Sequence, residues 1–88
     1  METLEQKVIK KLEEDGFFVV RVESKGPFNF LAVRRGLVCG IQCRESRNIS
    51  FEEREQLLDM ETKYGIIPFI AYLAGKSLVT ERIGLKED

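Results

Sequence analysis

Two helix-start signals bracket three short apolar segments, and this arrangement narrows the folds open to the chain. The first signal is Thr3 with Gln6, the spacing of a capping box, followed by Leu4, Val8, Ile9 and Leu12 on one helical face. The helix it predicts stops at Asp15-Gly16, with Gly16 as its C-terminal cap. The second signal is Ser50 with Glu53, which opens a helix running to about Tyr64 and ending at Gly65. Between them, residues 17–22, 28–33 and 37–43 are β-branched and aromatic and read as strands, the first of them buried. They are separated by the turn Ser24-Lys25-Gly26-Pro27 and the hairpin Arg34-Arg35-Gly36. Residues 66–73 form a further strand, in which Pro68 belongs at the start or on an edge, because it has no N–H for a ladder. Ala74-Gly75-Lys76 then turns into a last strand, residues 77–83. The order is α-β-β-β-α-β-β, which predicts an α/β fold: a mixed sheet of about five strands with two helices packed on it.

The second helix carries Phe51, Leu57, Leu58 and Tyr64 for one-sided packing, and Glu52, Glu53, Glu55, Asp59 and Glu61 make its other face acidic. Arg21, Lys25, Arg34, Arg35, Arg44 and Arg47 gather instead in the first half. The totals nearly cancel, 14 basic against 15 acidic residues, so net charge neither indicates nor excludes a nucleic-acid partner and a local patch must decide. At 88 residues the chain reads as a single domain, 1–88, near the lower limit for independent folding, where an oligomer would bury more apolar surface.

No apolar run approaches a membrane span, and the first residues are charged and amphipathic, which predicts a cytoplasmic protein with no membrane partner. Asn48-Ile49-Ser50 matches a glycosylation acceptor but has no meaning without secretion. Cys39 and Cys43 lie four apart on a strand, roughly 13 Å between α-carbons, too far for a disulfide. With no histidine, zinc would need both thiols plus carboxylates, so free buried thiols are expected. Gly75-Lys76-Ser77 echoes a phosphate-binding loop, but the glycine needed five residues earlier is Ile70.

Candidate chemistry sits on the second and third strands. Gln42 and Arg44 are two apart and share a face, opposite Ile41 and Cys43, and pairing through the hairpin brings Asn29 to the same end of the sheet. Three polar groups on otherwise apolar strands contrast with the continuous Val, Ile and Leu of a doubly buried strand. They may be read as a solvated face, as positions kept because they bond to one another, or as a pocket that meets phosphate.

The wider pattern resembles the archaeal Holliday junction resolvases, a branch of the PD-(D/E)XK nuclease superfamily. Glu5 precedes Gly16-Phe17-Phe18-Val19-Val20-Arg21 at the family's spacing of about eleven residues, and Ser24 stands in the following turn. Pro27-Phe28-Asn29-Phe30-Leu31-Ala32 occupies the strand where the family has Pro, any residue, Asp, then apolar residues and Ala. Ile41-Gln42-Cys43-Arg44 falls where the family reads Ile, Glu, apolar, Lys. Residues 57–71 follow the family's helix and apolar strand loosely. The resemblance implies a restriction-endonuclease-like fold, a homodimer, DNA as partner, and a role in recombination and repair. It implies Glu5, Ser24, Asn29, Gln42 and Arg44 as the motif positions.

The departures fall on the chemistry. Neutral amide oxygens poorly replace the anionic oxygens that hold Mg²⁺, and a guanidinium stays protonated where a lysine can adapt. Metal-assisted hydrolysis needs the ion to polarise phosphate and supply hydroxide. The expected protein is therefore a catalytically degenerate nuclease fold that binds branched or other structured DNA through Arg44, Arg47, Arg21, Lys25 and Ser24, with Arg34 and Arg35 in the basic set. No cofactor is expected; if the site is active, the ion is Mg²⁺ and its candidates are Glu5, Asn29 and Gln42. Glu23 and Glu45 are the acids that could substitute from neighbouring positions. The alternatives are an active junction endonuclease with an altered site around Glu5, and a protein-interaction module partnering an active nuclease or a helicase.

Overall fold

The structure is a computed structural model that describes residues 2–23 and 25–84, so Ser24 lies outside the described residues. Its elements are α1 (Leu4–Glu14), β1 (Phe18–Arg21), β2 (Phe30–Arg34), β3 (Leu37–Cys43), α2 (Phe51–Tyr64), β4 (Ile67–Ala74) and β5 (Ser77–Arg82). This is the α-β-β-β-α-β-β order. Both capping boxes form: Thr3 accepts from the Gln6 N–H, Ser50 from the Glu53 N–H, and each Gln6 or Glu53 side chain reaches back to its cap. Both helices run into a glycine in the left-handed region, Gly16 at φ 87° and Gly65 at φ 72°.

The five strands lie in chain order, β1-β2-β3-β4-β5. All neighbours are antiparallel except β3 and β4, which run parallel because α2 carries the chain back along the sheet. Arg34 pairs with Leu37, leaving Arg35 and Gly36 as a two-residue loop with φ 50° and 80°. Positive φ at both loop residues is the primed turn that matches strand twist.

The helices take opposite faces. Val8 and Leu12 of α1 pack with Phe30, Ala32, Cys39, Ile41 and Ala71. Leu57 of α2 packs with Phe28, Ile70, Tyr72 and Ile83. The alternation of Ile70, Ala71 and Tyr72 between these clusters is the two-residue period of a strand buried on both faces.

Three details differ from the sequence reading. β1 is an edge strand rather than a buried one: Phe18 is 71% exposed, since α2 packs over β4 and leaves the β1 end of that face open. Phe51 and Tyr64 also point to solvent, and Leu57 alone of the α2 residues is fully buried, with Leu58 and Met60 beside it. Finally, β2 begins at Phe30, because the chain bends before it. Pro68 takes the second position of β4, at the start of the strand but inside the sheet.

Candidate functional site

The bend before β2 sets the geometry of the site. Phe30 pairs with Ile41, yet the Asn29 N–H also donates to the Ile41 carbonyl at 2.8 Å. Two residues thus oppose one, the arrangement of a β-bulge, which re-aims a side chain relative to a regular strand. Asn29 consequently turns towards α1. Its Oδ1 accepts from the Cys43 N–H at 2.8 Å and its Nδ2 donates to Glu5 Oε2 at 3.3 Å. The orientation of the amide is dictated by the backbone, since an N–H of Cys43 can only donate and requires the oxygen side. Arg21 faces the other oxygen of Glu5 at 3.5 Å and rests over the Phe30 ring, 5.3 Å from its centroid.

Gln42 and Arg44 share the α2 side and form a separate set. Gln42 Nε2 donates to the Pro27 carbonyl at 2.9 Å, and its Oε1 accepts from Arg44 at 2.8 Å. Arg44 is held against Glu53 by two N–H bonds, of 2.8 and 3.4 Å. It also donates twice to the Asn48 carbonyl, from Nε at 3.2 Å and from a terminal nitrogen at 2.8 Å. The expected convergence of Asn29, Gln42 and Arg44 is therefore two networks at one end of the sheet. The Gln42–Arg44 half bonds internally, whereas Asn29 bonds to Glu5.

Glu53, a capping residue and part of an acidic helix face by sequence, is in the structure the partner of Arg44. The signal available was a glutamate at the third position of a helix that starts a short loop after a strand ending in arginine. The Arg44 bond, followed by the bonds from Ser50, lowers the Glu53 carboxyl from 4.5 to about 2. A carboxyl depressed in the folded state stabilises above its unfolded pKa and loses that contribution as pH falls through the folded value. Stability should therefore decline between about pH 4.5 and 2, and Glu53→Gln should flatten that part of the curve in urea titrations followed by circular dichroism. On the α1 side, burial and the Glu5 charge push the Cys43 thiol up to about 11, so it is a packing group at neutral pH rather than a nucleophile.

The basic set divides by position. Arg21, Lys25, Arg44 and Arg47 belong to the end of the sheet that holds Asn29 and Gln42. Arg34 and Arg35 lie at the opposite end of β3, roughly 20 Å away by strand rise. Arg34 donates to the Asp15 carbonyl at 2.6 Å and stacks over Phe17 at 4.7 Å, so it closes the C-terminus of α1. Arg47 is exposed and meets Glu81 only at 3.9 Å. No salt bridge among the described residues engages Lys25 or Arg35. Glu23 and Glu45 are both exposed, and Glu45 with Leu4, Cys43, Arg44 and Leu73 lines an open cleft of about 360 Å³ at the end of β3.

No protein-family model matches the chain. No curated protein matches it either. Among solved structures it is similar to that of Hjc, a Holliday junction resolvase from the archaeal hyperthermophile Archaeoglobus fulgidus. The TM-score is 0.72 at 18% sequence identity, over 91% of this chain and 70% of the other. The two proteins share a fold. It is the restriction-endonuclease-like arrangement of two helices on a mixed five-stranded sheet.

Glu5, Asn29 and Gln42 do not fit a hard cation. A divalent ion between Glu5 and residue 29 would need oxygens from both, and Asn29 presents an NH₂ to the carboxylate instead. The Asn29 oxygen is already taken by the Cys43 N–H, and the Gln42 oxygen by Arg44. Among the described residues no three His, Cys, Asp or Glu side chains come together as a metal site.

Proposed function

We propose that this chain is a DNA-binding protein of the resolvase-like fold that has exchanged metal-dependent cleavage for internal hydrogen bonding. The observation that carries the reading is the contact of the Asn29 amide with Glu5, a donor set against the carboxylate where a nuclease would set a cation. The support for DNA is the resemblance at the motif positions, the Holliday junction resolvase activity of the structural neighbour, and the presence of Arg21, Lys25 and Arg47 on β1 and on the loops after β1 and β3. Ser24, next to Lys25 in the sequence and outside the described residues, is proposed with it on the resemblance alone. Phosphate contacts of this kind hold a duplex by charge and release counterions.

The expected result is salt-sensitive binding, with log K falling by about 0.9 per log unit of salt for each phosphate neutralised. Replacing Arg21, Lys25 and Arg47 together by Ala should weaken binding to duplex and four-way junction DNA and reduce that slope by about two to three. Binding that is absent at low ionic strength would remove the proposal. Self-association belongs to the same reading: Phe18 and Val20 stand exposed on β1, on the face that α2 leaves uncovered. That apolar face equally favours a protein partner, such as an active nuclease or a helicase. A monomer by sedimentation that binds a partner but no DNA would decide for the interaction module.

A further inference from the structure

Arg44 has no free donor. A guanidinium carries five N–H groups, and five hydrogen bonds leave this one: two to Glu53, one to Gln42 and two to the Asn48 carbonyl. The bonds differ in how replaceable their partners are. Gln42 and Asn48 hold the guanidinium from the strand and the loop, fixing its plane. Glu53 lies on the outer side, its side chain 44% exposed against 19% for Arg44. Its two oxygens take two N–H bonds in the fork geometry that a guanidinium offers equally to a phosphate. Glu53 also accepts from the Ser50 N–H, so it keeps a place in the capping box when it leaves Arg44.

We propose that Arg44 is a preformed phosphodiester site masked by the carboxylate of Glu53, which a DNA phosphate must displace in order to bind. This rests on the DNA-binding reading above and adds to it a built-in competitor. The depression of the Glu53 carboxyl agrees, since its largest cause is the hydrogen bond from Arg44. The remaining bonds to Gln42 and Asn48 would hold the guanidinium in register while the anion is exchanged, so little ordering is required on binding.

Glu53→Gln tests this without removing the cap, because glutamine serves equally at that position of a capping box. The variant should bind duplex DNA about tenfold tighter than the parent protein, with a salt slope steeper by about one. Adding Arg44→Ala to Glu53→Gln should abolish the gain. A second readout uses inorganic phosphate and the Arg44 Nε–H resonance. That resonance should shift saturably with phosphate in Glu53→Gln, and at about tenfold higher phosphate in the parent. Equal affinity and slope for the two proteins, a gain that survives Arg44→Ala, or an Arg44 resonance indifferent to phosphate in Glu53→Gln would each overturn the masking. If neither protein binds DNA while the Arg44 resonance responds to phosphate, the DNA reading fails and the masked anion site stands.

Discussion

Gly40→Ala should destabilise this protein strongly, by overpacking its core. The Phe28 ring lies directly on the Gly40 backbone, and a β-carbon there would stand 2.5 Å from the ring carbons. Phe28 cannot retreat, because it is buried against Leu57, Ile70, Tyr72 and Ile83. Overpacking of this kind costs roughly 1–3 kcal/mol. For a domain of this size that corresponds to a fall in Tm of roughly 4–8 °C per kcal/mol. The pair should be non-additive: Phe28→Ala alone costs about 3–5 kcal/mol, but Gly40→Ala introduced into that background should cost little. Urea denaturation of the two single variants and the double variant measures this directly. Additive losses would show that the ring is not packed on Gly40.

Asn29→Asp has the second large effect, and its size depends on the ion present. The new carboxylate would still accept from the Cys43 N–H with one oxygen, while its other oxygen would face Glu5 at the position now taken by the Asn29 amide nitrogen, 3.3 Å away. Two half-buried carboxylates so close raise the apparent pKa of the pair. A group whose folded pKa is raised is stabilising below its unfolded pKa and loses that contribution as pH rises through the folded value. Asn29→Asp should therefore match the parent at about pH 3, below the unfolded carboxyl pKa, and fall behind it by roughly 1–2 kcal/mol at pH 7. Millimolar Mn²⁺ should restore the variant's Tm and leave the parent's unchanged, because the ion binds only where both oxygens are present. A Tm indifferent to Mn²⁺ in the variant would contradict the assignment of Asn29 and Glu5 to one site.

Much of the architecture is legible in the sequence because its determinants are local. Thr3 with Gln6 and Ser50 with Glu53 announce the helices, and Arg35-Gly36 announces the hairpin. The hidden parts are those that depend on where an element lies in the sheet. Residues 17–20 are as apolar as a central strand, and only the strand order reveals that β1 is an edge with Phe18 in solvent. Which polar residues gather at this end of the sheet was legible, but not the direction in which each points. Parity along a regular strand unites Asn29 with Gln42, and the bulge at Asn29, invisible to a two-residue period, sends it to Glu5 instead. The commitment of Arg44 was hidden for a similar reason, since its partner Glu53 lies on the far side of a loop and at the start of a helix.

The most direct measurement of the central claim is the incubation of the protein with labelled four-way junction DNA in Mg²⁺ or Mn²⁺ at low ionic strength, read for both retention and cleavage. A retained, salt-sensitive complex with intact strands is the expected result. Cleaved strands from the parent protein would contradict it, because they would require a metal where Asn29 offers Glu5 an amide.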